Sequence, residues 1–210
     1  MKCLFAYENL IEFKKAISKL QEGSVTWQIR DMGLDDRVKR IKDYQYFINL
    51  KEYASKQGLD VCETEVVSWM DSINIIFSLI DNLEEKYLNE TSIIAEYHIP
   101  YTTSRIDYLL LNSNNIIIIE FSFNRTTENA NYQFHEKVTQ CSSYKESLSN
   151  ILKKRIKIYT HTFLIQAEYN QYGKKLNKDN YSKIMNLKEF MINCFDKEKL
   201  NAYKEIINLK

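Results

Sequence analysis

The sequence predicts an α/β fold, and three observations predict it. An apolar stripe at helical spacing runs through 65–88, where Val66, Trp69, Met70, Ile73, Ile76, Phe77, Ile80 and Leu83 follow the i, i+3, i+4, i+7 rule. The period then changes, and 92–99, 105–111 and 115–123 have strand character with turn residues between them. A second helical stretch at 132–152, with Val138, Cys141, Tyr144 and Leu148 on one side, precedes a last strand at 155–168. The order over 65–168 is therefore helix, three strands, helix, strand.

The remaining elements follow in chain order. Leu10, Phe13, Ile17 and Leu20 predict a helix over 8–22, and Val38, Ile41, Tyr44, Phe47 and Ile48 predict one over 36–57. Thr64 is the expected N-cap of the long helix, with Glu65 in its favourable first turn. Pro100 ends the first core strand, and the next two form a hairpin about Asn112-Ser113-Asn114-Asn115. The run Ile116–Ile119 is apolar without alternation, which predicts a central strand covered on both faces. Asn and Thr residues predict a loop over 124–131, and short helices at 181–194 and 197–208 close the chain. One compact domain is expected, with an N-terminal helical region at 1–60, a core at 61–170 and C-terminal helices at 171–210.

Composition narrows the functional classes. At 44% hydrophobic and 13% aromatic residues the chain is too apolar for disorder, and one proline and four glycines leave no linker. No stretch approaches the roughly 20 apolar residues of a membrane span, and the N-terminus has no signal-peptide core, so a cytoplasmic protein is expected. Cys3, Cys62, Cys141 and Cys194 are scattered and read as free thiols. His98, His135 and His161 show no ligand spacing. Walker A, GxGxxG and nucleophile-elbow patterns are absent, which removes support for NTP hydrolysis and Rossmann chemistry.

The net charge of +1 hides an asymmetry: nine acidic residues against Lys86 alone between Asp60 and His98, and eight basic against two acidic between Lys145 and Lys178. A basic region beside an acidic cation-binding one suits a phosphodiester substrate, and two solvated faces of opposite sign suit the pattern equally. Asp107 and Glu120 are more specific. Each is a carboxylate on an apolar strand of one hairpin, and an unpaired buried carboxylate costs several kcal/mol or more. Two that converge can hold a divalent cation through oxygen. The alternative is structural ion pairing, Asp107 with Arg105 or Glu120 with a lysine.

This arrangement resembles the PD-(D/E)XK nucleases, which carry Asp and then Glu-x-Lys on such a hairpin. Here the triplet is Glu120-Phe121-Ser122, with Ser in place of the lysine. A closer resemblance covers 65–148: Glu65-Val-Val-Ser68-Trp69, Glu96-Tyr97-His98-Ile99-Pro100 and Ser104-Arg105-Ile106-Asp107 are similar to the nuclease-like N-terminal domains that precede some superfamily 1 helicase domains. Gln140 and Tyr144, four apart on one helical face, resemble the Gln-xxx-Tyr pair of RecB-like members. The resemblance implies a restriction-endonuclease-like αβββαβ core with added N- and C-terminal helices. It implies a nuclease using Mg²⁺ or Mn²⁺ on nucleic acid, with DNA expected, in phage defence or DNA repair, and with a helicase or other protein as partner. Asp107 and Glu120 are then metal ligands, with Glu65 and Glu96 as further oxygen donors or, alternatively, surface charges. Gln140 and Tyr144 belong near the site, and Lys137 is a candidate substitute for the missing lysine or an ordinary exposed one. Loss of the lysine leaves a second reading, a degenerate nuclease-fold module that binds nucleic acid or a protein without cutting.

Overall fold

Five strands form one mixed sheet: β1 (Phe5–Tyr7), β2 (Ser92–His98), β3 (Arg105–Asn112), β4 (Asn115–Asn124) and β5 (Lys157–Gln166), adjacent in that order. β1 to β4 pair antiparallel, whereas β5 runs parallel to β4. A parallel neighbour cannot be reached by a tight turn. The crossover is the long helix α6 (Thr127–Ile151). The computed structural model describes residues 2–21, 34–124, 127–152, 155–166, 178–194 and 201–209.

Eight helices are present among the described residues. α1 (Leu10–Leu20), α2 (Leu34–Ile41), α3 (Gln45–Lys56), α4 (Glu63–Ile80), α5 (Glu85–Glu90) and α7 (Lys178–Cys194) accompany one face of the sheet, and α6 and α8 (Ala202–Ile207) cover the other. Two cores result. Val66, Met70 and Ile73 of α4 join Tyr108, Ile117 and Ile119 in the first, and Cys141, Tyr144 and Leu148 of α6 join Leu109, Ile116 and Ile118 in the second. Ile116–Ile119 are each at most 1% exposed, contributing about 1.5–3 kcal/mol apiece. The doubly covered central strand is thus the one its unbroken apolar run predicts. No helix among the described residues is long and apolar enough to cross a membrane.

The α/β class and the strand positions agree with the sequence reading; several helix boundaries do not. β1 was not expected, since three residues are too few to show a period. It brings part of the N-terminal region, expected to be helical, into the sheet. The helix expected over 36–57 is two, because the chain turns at residues 42–44 with Tyr44 in extended conformation. Neither Gly nor Pro marks that turn in the sequence. The helix expected over 65–88 also breaks, at Asp81, where Asn82 bonds back to the Ser78 carbonyl at 2.7 Å. Its start lies at Cys62 rather than Thr64, and Glu65 Oε2 accepts from the Cys62 N–H at 3.2 Å, the returning half of a capping box. α6 begins five residues before the expected 132, so Asn and Thr residues read as loop occupy its first turns. Residues 167–168, 195–200 and the lysines 153, 154, 174 and 175 of the basic stretch lie outside the described residues.

One buried ion pair ties α2 to α4. Arg37 Nη1 and Nη2 donate to Asp71 Oδ2 and Oδ1, both at 2.8 Å, with the two residues 6% and 3% exposed. The bidentate fork matches guanidinium to carboxylate geometry. Removing one partner strands the other charge in the core. Asp71→Ala should therefore lower stability by about 3–5 kcal/mol, read from the urea midpoint, and Arg37→Met combined with Asp71→Leu should recover most of that loss. An Asp71→Ala midpoint equal to the parent's would show that the pair carries no such weight.

Candidate functional site

The strand registers place three carboxylates on one rung. Ala95 faces Tyr108 and Tyr97 faces Ile106 across β2 and β3, and Tyr108 faces Ile119 across β3 and β4. Glu96, Asp107 and Glu120 therefore lie in a row across the sheet. The β3–β4 ladder stops at this row. Glu120 Oε1 accepts from the backbone N–H of Asp107 at 2.9 Å, and Asp107 Oδ2 accepts from the N–H of Phe121 at 2.8 Å. Each carboxylate thus stands where a strand carbonyl would otherwise accept, so neither buried N–H is orphaned as the strands part.

Two of the three strands, β2 and β3, are distorted at this rung. Glu96 has φ 55°, a left-handed conformation costing a residue with a side chain about 1–3 kcal/mol. Ile93 and Ala95 alternate with Ile94 between the two cores, yet Tyr97 and Ile99 both join Ile94. In β3, Ile106 shares a core with Leu109 and Leu111 rather than with Tyr108. Alternation slips at Glu96 and at Asp107. A change of face is expensive in a two-sided sheet, because it re-assigns every following side chain.

Two cations meet this row from different directions. Lys137 of α6 donates from Nζ to Glu120 Oε2 at 2.8 Å, its side chain 29% exposed against 0% for Glu120. Arg105, two residues before Asp107, donates from Nη2 to Glu65 Oε1 at 2.6 Å, and its Nε stands 2.6 Å from Glu96 Oε2. That Glu96 oxygen is buried without a hydrogen bond. Four carboxyl groups therefore face two cations. Burial, then the Asp107 charge, push the Glu120 carboxyl up to about 7 against the pull of Lys137. Burial likewise holds Asp107 above its ordinary range, and burial with the Asp107 charge holds Glu96 well above it. Glu65 goes the other way: burial opposes ionisation, but the hydrogen bonds from Arg105 and the Cys62 N–H prevail and lower it. Lys137 is held above the ordinary lysine range, since Asp107 and Glu120 outweigh its own burial.

The row opens into two connected spaces. A cleft of about 200 Å³ is walled by Glu65, Ser68, Trp69 and Ser72 of α4 together with Glu96, Arg105, Asp107, Phe121 and Lys137. An open groove of about 960 Å³ shares Phe121 and Lys137 and continues along α6 past Tyr132, Gln140 and Tyr144, with Ser104 and Ser122 opposite. Lys137 and Phe121 line both spaces and Asp107 the cleft; Glu120 is buried behind them on Lys137, and Gln140 and Tyr144 line the groove one and two turns further along α6. Glu65 and Glu96 stand at the cleft but lean on Arg105. Both terms of the sequence reading are present for Glu120: it has a strand carboxylate partner and it is ion-paired to a lysine.

Arg105, expected within the Ser104-Arg105-Ile106-Asp107 stretch and as a partner for Asp107, clamps Glu65 and Glu96 instead. Its spacing from Asp107 on one strand was the available signal. Ser68, Trp69 and Ser72 owe their place in the wall to the register of α4 on the sheet. His161 is packed against Phe163 and Phe190, where burial lowers it to about 4, and takes no part.

Among the described residues, no group of three or more His, Cys, Asp and Glu side chains is gathered to hold a metal ion. Asp107 and Glu120 make an all-oxygen pair, with Glu120 engaged on both oxygens by the Asp107 N–H and Lys137. This fits Mg²⁺ or Mn²⁺, which accept one or two carboxylates and complete their shells with water and phosphate oxygens. Comparison with known proteins finds no matching family model, no matching curated protein and no matching solved structure.

The protonation of Glu120 predicts a pH dependence. Between its ordinary 4.5 and about 7 the folded state binds more protons than the unfolded chain, so stability falls as pH rises through that interval. Glu120→Gln should make this slope shallower, measured as urea midpoints across the interval. Asp107 and Glu96 act in the same sense and leave part of it. An unchanged slope would remove Glu120 from the account.

Proposed function

We propose that the chain is a metal-dependent nuclease of the PD-(D/E)XK kind that hydrolyses phosphodiester bonds in nucleic acid. One observation carries the reading: Lys137 reaches from α6 to within 2.8 Å of Glu120 Oε2, beside Asp107. An acid, a second acid and a lysine thereby stand together even though the strand offers Ser122. The helix–strand–strand–strand–helix–strand order and the mixed sheet support the same reading. Ser122 stands on the groove wall where the strand lysine of that family would project, so Lys137 would have to supply that cation.

Asp107 and Glu120 would hold Mg²⁺ or Mn²⁺, which when bound supplies an activated water and neutralises charge on the phosphate. Around it, Lys137 presents a charged donor where negative charge develops, a contribution typically worth several kcal/mol. Its ion pair with Glu120 fixes that donor in place. Arg105 keeps Glu65 and Glu96 paired so that the site does not carry four unbalanced carboxylates. Gln140 and Tyr144 face the incoming strand along the groove. The resemblance to helicase-linked nuclease-like domains supports DNA as substrate, a cytoplasmic role in phage defence or DNA repair, and a helicase or other protein as partner.

A second reading, a module that binds without cutting, is favoured by the internal compensation of the site: both Glu120 oxygens are engaged, and Arg105 engages Glu65 and Glu96. Incubation with plasmid, single-stranded DNA and RNA, in Mg²⁺, Mn²⁺ or EDTA, separates the two. Cleavage should require the metal and vanish in Asp107→Ala and Glu120→Ala. Lys137→Ala should slow it by about a hundredfold or more, as for loss of one transition-state donor, and Ser122→Lys should restore it in that background. Retained cleavage in Asp107→Ala would dismiss the site, and binding by the parent without cleavage would install the second reading.

A further inference from the structure

We propose that the groove along α6 takes an unpaired nucleic-acid strand, with the Tyr132 ring as the platform on which a base stacks. This rests on reading the site as one for nucleic acid and goes beyond it by naming the strand state. The groove begins at Phe121 and Lys137, which it shares with the cleft beside the carboxylate row, and follows one face of α6, from Tyr132 through His135, Glu136, Thr139 and Gln140 to Ser143 and Tyr144. At helical rise, that face is about 18 Å long. Its walls offer hydroxyls, an amide, an imidazole, rings and the Glu136 carboxylate. Lys137 is the one lysine or arginine among the described lining residues, and Glu120 already holds it.

That chemistry discriminates between strand states. Duplexes are bound chiefly through arrays of cations on their phosphates. Single strands add to backbone electrostatics the stacking of bases on aromatic rings, which no paired base can offer from inside its stack. Tyr132 and Tyr101 are the most exposed large hydrophobic side chains among the described residues, at 67% and 91%. Tyr132 lines the groove, and Tyr101 lies on the turn that leads to Ser104 on the opposite wall. Tyr101 also holds φ 63°, a conformation unfavourable for a bulky residue. Glu136, one turn on, holds the exposed Tyr132 hydroxyl above its ordinary range.

The test is fluorescence anisotropy on the full chain with labelled single-stranded DNA, single-stranded RNA and a blunt DNA hairpin, using Ca²⁺ in place of Mg²⁺. Single strands should bind at least tenfold tighter than the hairpin. Tyr132→Ala should weaken single-strand binding by about tenfold, in line with the loss of one base stack, while Tyr132→Phe should bind as the parent does. Circular dichroism confirms that both variants fold. A hairpin bound as tightly as a single strand, an unchanged Tyr132→Ala affinity, or no single-strand binding would each overturn the proposal. Cleavage assayed in parallel with Mg²⁺ keeps the two readings apart. Single-strand binding that depends on Tyr132 without cleavage retains the groove and removes the catalysis. Hairpin cleavage indifferent to Tyr132→Ala does the reverse.

Discussion

The exchange between Asp107 and Glu120 is the constraint around which the rest is arranged. Two carboxylates that are charged in water sit on adjacent strands inside a sheet, each accepting from the backbone of the other's strand. Burial of such groups is costly unless every oxygen finds a partner. The partners then dictate what must surround them. α6 has to pack so that Lys137 reaches Glu120, and β3 has to turn Arg105 toward Glu65 and Glu96. The crossover that places β5 parallel to β4 is the same helix that delivers the lysine, so topology and charge compensation are one problem.

Compensation is incomplete, and the incompleteness has chemical meaning. With four carboxyl groups against two cations, burial raises the proton affinity of Glu120, Asp107 and Glu96. On the proposed function, a divalent cation would bind at the expense of those protons. The left-handed Glu96 and the change of face at the same rung point the same way. Backbone strain and broken alternation persist only where surrounding structure enforces them, and here they coincide with the row of Glu96, Asp107 and Glu120. The two cores on either side, by contrast, are ordinary in their packing and carry the stability that offsets this rung.

Much of this was legible in the chain. Helical period through 66–80, unbroken isoleucines at 116–119, and one carboxylate on each of two apolar strands all express local rules, in which burial selects residues by their spacing. Gln140 and Tyr144 declared a shared face for the same reason. Helix ends were less legible. The breaks at 42–44 and 81–84 carry no proline or glycine, and β1 is too short to show a period. Those features exist because packing against α4 and β2 favours them, not because the local sequence demands them.

What the sequence determined by itself was the inventory: an α/β order of elements, a central strand buried on both faces, and acidic residues where apolar ones would be more stable. Tertiary structure alone decided the pairing. Arg105 chose Glu65 and Glu96 over its near neighbour Asp107, Lys137 crossed 17 residues to reach Glu120, and the rung of Glu96, Asp107 and Glu120 followed from strand register. The physical reason is range. Period and capping act over a few residues of one chain segment, whereas a buried charge takes whichever opposite charge the packed layers bring within about 3 Å, and that distance is set by the whole fold.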